Sequence, residues 1–301
     1  MRFRPFGASG AAISNLTLSF GSDALARGRE SGLELIYSAL EAGVNSYRLE
    51  TADPVAAEVL GEALSHIDRK LICVSLMLGA ETALGAERRD FSAERLTGAI
   101  DRVLHFSGLG WIDVATLHEP AEHELPLSAL NALKALRATG RIRMLGIAGE
   151  GVVMDAYVST GAFDLLATPL GINADWRIRS RIRAAREMDM SIFAYDVYTD
   201  RRKRPADAPL YKKGMFGFGG QKRPADSRQK DAFGFLYRTP NWTAEAICLS
   251  YALSDPSISS VIVRATDVAH LAVLAATPER DLPPGIAAQI EMARVTASAA
   301  A

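Results

Sequence analysis

Trp111–Glu150, WIDVATLHEPAEHELPLSALNALKALRATGRIRMLGIAGE, is the stretch that decides the fold. Trp111–Leu117 is a short apolar run with the aromatic and β-branched residues of a buried strand. His118-Glu119-Pro120 ends it, because proline cannot donate to a ladder. Pro126 suits the first turn of a helix, where no N–H is required of it. Leu127, Leu130, Leu133, Lys134 and Leu136 then fall on one face at helical spacing. Gly140 stops that helix, and Ile142–Ala148 is a second buried strand. Strand, helix and strand in this order imply a parallel sheet. His118 lies at the carboxyl end of its strand, the end where parallel α/β folds carry their chemistry.

The same alternation continues in both directions. Strands are expected at Leu16–Phe20, Val44–Arg48, Leu71–Leu78, Asp164–Leu170, Ser191–Tyr195 and Ile258–Val263. Helices are expected at Ser31–Ala42 (with Leu33, Ile36, Tyr37 and Leu40 inward), from Pro54 (with Val55, Val59, Leu60 and Leu64), and from Ser92 to about His105. Further helices follow at Val152–Ser159, Asp175–Met188 with many arginines on its outer face, Thr243–Ser254, Asp267–Ala276 and Ile286–Val295. Eight strands alternating with helices over 301 residues, with no break in composition, predict one (β/α)8 TIM barrel domain spanning 1–301.

Composition narrows the function classes. Hydrophobic residues make up 49% of the chain, enough for a large core, and the net charge of −1 supplies no global field for nucleic acid or a membrane surface. No apolar run approaches the ~20 residues of a membrane span. The start, MRFRPFG, lacks the apolar segment of a secretion signal, so the cytoplasm is the expected compartment. Cys73 and Cys248 lie in apolar runs and read as buried thiols. His118, Glu122 and His123 have no further ligand cluster to complete a metal site, and none is expected.

Thr199–Pro240 is long for a loop. It holds eleven Lys/Arg against four Asp and repeats Lys-Arg-Pro-Ala-Asp at 203–207 and 222–226, around Met215-Phe216-Gly217-Phe218. Following the seventh strand, it should lie over the barrel mouth. Two readings stay open: a solvated loop, or a lid whose cations meet an anionic ligand.

The central unit, with LHEP at 117–120 and GRIRMLGI at 140–147, resembles the middle of an aldo-keto reductase. Arg4–Leu18, Gly43-Val44-Asn45, Glu58–Leu64, Phe91–Leu104 and Tyr251–Leu274 resemble other parts of that family in its order. The resemblance covers nearly the whole chain apart from roughly 199–239. It implies a barrel with a short N-terminal hairpin, and carbonyl reduction by NADPH through an aspartate, a tyrosine, a lysine and a histidine.

Only the histidine is matched, by His118. Where the lysine belongs, Ser75 is followed by Leu76, and Lys70 stands at the opposite end of that strand. The aspartate's place falls on Arg48 or Glu50 and the tyrosine's on Asp53 or Val55; no tyrosine occurs between Tyr47 and Tyr157. A phenol with a pKa of ~10 is a sluggish acid at neutral pH unless a nearby cation stabilises its anion. On the cofactor side, Ser19-Phe20, Ala148-Gly149, Thr168 and Tyr195-Asp196 stand near the family's contact residues. By resemblance, Tyr195 is placed to stack on a nicotinamide, Asp196 faces the pyrophosphate, and Arg264, Thr266 and His270 fall near a 2′-phosphate. Arg48, Glu50 and Asp196 are ligand candidates at the mouth.

The expectation is therefore an aldo-keto-reductase-like barrel that has lost the family's NADPH-dependent reduction and binds a small anionic ligand at its mouth, with NADP weakly supported. One alternative is an atypical NAD(P)H oxidoreductase acting on aldehydes or ketones, with Tyr195, Tyr198 or His118 handling the proton. Another is a scaffold that docks a protein partner through the basic loop 201–230.

Overall fold

The computed structural model describes residues 1–7, 10–83, 86–199 and 233–298. The basic stretch 201–230 lies outside the described residues, so neither reading of it is decided. A hairpin of β1 (Phe3–Phe6) and β2 (Ala11–Ser14) precedes the barrel. The barrel is closed and built from β3 (Leu16–Phe20), β4 (Ser46–Leu49), β5 (Cys73–Leu78), β8 (Ile112–His118), β9 (Ile142–Ala148), β10 (Leu165–Pro169), β11 (Ser191–Tyr195) and β12 (Ser260–Arg264). Each strand is parallel to its neighbours. The outer helices are α1 (Arg29–Glu41), α2 (Pro54–Leu64), α3 (Ala93–Ser107), α4 (Leu127–Ala138), α5 (Val152–Ser159), α6 (Trp176–Glu187), α7 (Ala244–Leu253), α8 (Val268–Ala276) and α9 (Ile286–Ser298). This is the (β/α)8 barrel with an N-terminal hairpin that the sequence predicts. A second hairpin, β6 (Ala80–Ala83) with β7 (Ala86–Arg89), was not expected.

The caps explain several helix starts. Ser92, Asp175, Thr243 and Asp267 each accept a backbone N–H one to three residues into the helix they open. Asp53 does the same for Ala56 N at 2.8 Å, with Pro54 in the first turn.

Alternation along the strands divides the core in two. Leu16, Leu18 and Phe20 join Val74, Leu76, Leu166, Ile192 and Val261 in the layer beneath the helices. Cys73, Val114, Ala148, Leu165, Ala167, Phe193 and Ile262 fill the lumen. The first hairpin closes the lumen from below: Phe6 and Ile13 join this inner cluster, and Phe6 stacks on Phe193 with ring centroids 5.6 Å apart.

Several expected faces are corrected. Leu127 is 70% exposed and Lys134 is exposed, while Ala129 is buried, because the inward face of α4 is the one that carries Ala129, Leu133 and Leu136. Tyr37 and Val55 are exposed too. In α1, Leu35 and Ala39 are buried instead, since α1 packs against α2 and α8 as well as the strands. Arg181 in α6 is not on an outer face. It is buried, donating from Nε to Asp155 Oδ1 at 2.6 Å and from Nη2 to the Gly151 carbonyl at 3.0 Å, which clamps the start of α5.

Candidate functional site at the barrel mouth

Strand register sets the first feature. Arg264 pairs with Ser19, Ser19 with Arg48, and Arg48 with Ser75, so these four residues form one row across β12, β3, β4 and β5. Arg48 is only 8% exposed. Its guanidinium donates from Nε (3.2 Å) and Nη2 (2.9 Å) to one acceptor, the Ser19 hydroxyl. That hydroxyl donates to Glu50 Oε1 at 2.7 Å. Glu50 Oε1 also accepts from Arg264 Nε at 2.8 Å and lies 4.0 Å from Arg48 Nη2. Asp53, one of the two places where the family's tyrosine would fall, is spent on the α2 cap.

Burial pushes the Arg48 pKa down to about 10, against the pull of Glu50. A guanidinium in a protein keeps its proton. The shift therefore expresses how poorly the buried charge is matched, and it is relieved by a counter-ion rather than by proton loss.

The opposite rim is acidic. His118 ends β8 half-buried, and its Cα pairs with that of Ala148 on β9. Glu119 follows with φ +47°, and Asp196 follows Tyr195 with φ +50°. Left-handed backbone is uncommon outside glycine and marks both strand ends as constrained turns. Gly149 between them is required: a Cβ there would lie 2.6 Å from Glu119 Cγ. Arg89, from the second hairpin, donates to the Glu119 carbonyl at 3.0 Å and pairs with its carboxylate at 3.5 Å. Tyr195 packs against the lumen cluster. Its phenol is held well above the usual tyrosine range by burial first, then by Glu119, Asp196 and Glu150; Arg48 pulls the other way and loses.

The remaining expected residues are placed as follows. Thr168 is fully buried with Oγ1 unpartnered among the described residues. It alternates with Ala167 of the lumen cluster and follows the phase of Leu166, so it sits on the helix side. Thr266 is exposed between β12 and α8. His270 Nε2 is 3.0 Å from Glu245 Oε2. Asp267 accepts the His270 backbone N–H at 2.8 Å, a bond that holds its carboxyl below the usual range. The start of α8 thus already carries a carboxylate, and Arg264 and His270 are each engaged by another. Among the described residues this end does not fit a bound phosphate. Among the described residues, no group of three or more His, Cys, Asp or Glu is arranged to hold a metal. The described lysines, Lys70 and Lys134, lie before β5 and on α4, away from Tyr195. The sequence reading missed the hydroxyl of Ser19 as the hub of the basic row; its position two residues before Gly21 carried no signal until the register paired it with Arg48.

No protein-family model matches the chain, and no curated protein matches its sequence. Solved structures do. An aldo-keto reductase of Bacillus halodurans in its holo form is similar over 97% of this chain and 96% of its own, with a TM-score of 0.76 at 19% identity. The apo form of the same protein gives 0.69 at 18% identity, covering 97% and 96%. The glycerol dehydrogenase of Gluconobacter oxydans gives 0.72 at 17% identity, covering 98% and 95%. The chain has the aldo-keto reductase fold over nearly its whole length, as the resemblance in its sequence implied. Identities this low speak for fold and leave activity to the site.

Proposed function

We propose that this barrel has lost the family's NADPH-dependent carbonyl reduction and binds a small anion at its mouth. One observation carries the reading: Arg48 is a buried cation whose hydrogen bonds among the described residues end on a neutral hydroxyl. Glu50, the carboxylate beside it, is already shared between Ser19 and Arg264. A buried charge without a close partner costs several kcal/mol, roughly, and an incoming anion removes that cost. A carboxylate also matches the guanidinium fork in shape. The acidic rim of Glu119, Glu150 and Asp196 favours a ligand whose other end carries hydroxyl or amino donors. The class is thus a small hydroxy- or amino-carboxylate.

The same geometry argues against reduction. A proton donor needs a pKa near the working pH, and Tyr195 is displaced the other way, with no described lysine beside it. The competing reading, an active NAD(P)H oxidoreductase, draws on the reductase and the glycerol dehydrogenase that share the fold. Steady-state NADPH oxidation with a broad aldehyde and ketone panel separates the two. We expect rates at background. Turnover clearly above it, and lost in His118→Ala, would establish the oxidoreductase.

A further inference from the structure

A groove of about 550 Å³ runs down the barrel wall between α6, α7 and α9, from Leu170 and Gly171, which follow β10 at the mouth end, to Asp255 and Ser257 before β12. Ligand sites span about 300–1,000 Å³, so this groove has the size of one, with a lining part polar and part apolar. Ile182, Ala252, Ala287 and Ala288 contribute an apolar lining. Arg179, Arg183 and Arg186 line it from α6. Their spacing of four and three residues puts the three guanidinium stems on one helix ridge.

The three arginines are not equally matched. Arg179 donates to Tyr251 Oη at 3.1 Å and pairs with Glu291 at 3.4 Å. Glu291 is also held by Arg294 at 2.7 Å and by the Tyr251 hydroxyl. Arg186 donates only to a neutral group, Ser257 Oγ at 3.2 Å. Arg183, between them, makes no ion pair or side-chain hydrogen bond among the described residues. The other acid in the groove, Asp255, accepts the Ser257 backbone N–H at 2.8 Å. Two cations therefore line a walled, partly apolar concavity with no carboxylate bonded to either. An isolated arginine on an outer helix face is ordinary. Two such cations beside an apolar strip, in a concavity of ligand size, can hold an anionic headgroup while the strip takes an apolar body.

We propose that this groove is a second binding site, independent of the mouth, for an organic anion carried on an apolar body, with the headgroup on Arg183 and Arg186 and the body on Ile182, Ala252 and Ala288. The test is calorimetric titration of the whole protein with octyl phosphate, octanoate, octanol and inorganic phosphate. Saturable one-to-one binding of at least one octyl anion is expected, about tenfold weaker in Arg183→Gln, as loss of one charge-assisted hydrogen bond implies. Ala288→Trp should abolish it by filling the groove. Both positions are exposed, and both variants should melt like the wild type without ligand. Arg48→Met should leave the affinity unchanged. Tighter binding of octyl phosphate or of octanoate would assign the headgroup. The proposal falls if neither octyl anion binds, if octanol binds as tightly, if inorganic phosphate binds Arg48→Met as tightly as the octyl anions do, if Arg183→Gln has no effect, or if Arg48→Met abolishes binding of the octyl anions.

Discussion

Two clusters of two arginines and one carboxylate stand at opposite ends of the barrel, and they are finished differently. Below, Asp113 is buried and used on both oxygens. Oδ2 accepts from Arg69 Nη2 at 2.6 Å and Val74 N at 2.8 Å; Oδ1 accepts from Trp111 Nε1 at 2.9 Å and pairs with Arg143 at 3.6 Å. Both guanidinium groups lie over the Trp111 ring, at 4.5 and 3.7 Å from its centroid. Arg69 also serves the carbonyls of Ile72 and Trp111, leaving only its Nε unpartnered among the described residues. Above, Arg48 reaches its carboxylate only at 4.0 Å and leans on a hydroxyl. The lower cluster is completed by its own chain and ties β5 to β8 and β9. The upper one is left for something else to complete. Barrels conventionally separate stability and chemistry between these two ends, and here the same three charges show the separation.

The largest expected effect tests the lower cluster. Asp113→Ala strands two cations and should cost about 3–5 kcal/mol in urea unfolding. Arg48→Met, by contrast, removes a poorly matched buried charge while Glu50 keeps Arg264. Its unfolding free energy should match that of the wild type or exceed it by about 1–4 kcal/mol. If Arg48→Met is as damaging as Asp113→Ala, the two ends are alike and the comparison fails.

The next effect is on pH dependence. Tyr195 has its pKa raised in the folded state, so above pH ~10 the unfolded chain loses the phenolic proton first and the folded state binds more protons. Stability then falls as pH rises. Tyr195→Phe should flatten that fall, read as the difference between variant and wild type in urea midpoints at pH 8 and pH 10.5. A tyrosine activated for proton transfer would give the opposite slope, already visible near neutrality.

The smallest effect concerns thiols. Cys73 and Cys248 are buried, and burial, reinforced by Asp113 and Glu245 respectively, raises both; Cys248 is pushed up to about 12. Neither should react with a thiol reagent at pH 8 in the native protein, because the thiolate is the nucleophile. Asp113→Ala should expose Cys73 to slow labelling by loosening the lower end, and Arg48→Met should not.

Most of the fold was legible because periodicity reports burial. The bounds of Leu16–Phe20, Ile142–Ala148, Val152–Ser159 and Ser191–Tyr195 coincide with those expected. The misses have local causes. Leu127 and Val55 have the right residue type but fall in the first turns of α4 and α2, where Ala129 and Ala56 take the buried face instead. Arg181 reads as surface by type and is buried by two specific acceptors. The short hairpin of β6 and β7 carries no hydrophobic alternation to announce it. The site was legible in part. Arg48, Glu50, Tyr195 and Arg264 were chosen from the sequence, and the absence of a tyrosine between Tyr47 and Tyr157 could be read directly. Their grouping around Ser19 could not, since it depends on register between strands remote in sequence. The engagement of His270 by Glu245, 25 residues away, is hidden for the same reason.

The measurement that bears most directly on the mouth is calorimetric titration of small hydroxy- and amino-carboxylates into wild type and Arg48→Met side by side. Saturable binding by the wild type, absent from a folded Arg48→Met, is the predicted result. Equal binding by both proteins, or none by either, would contradict it.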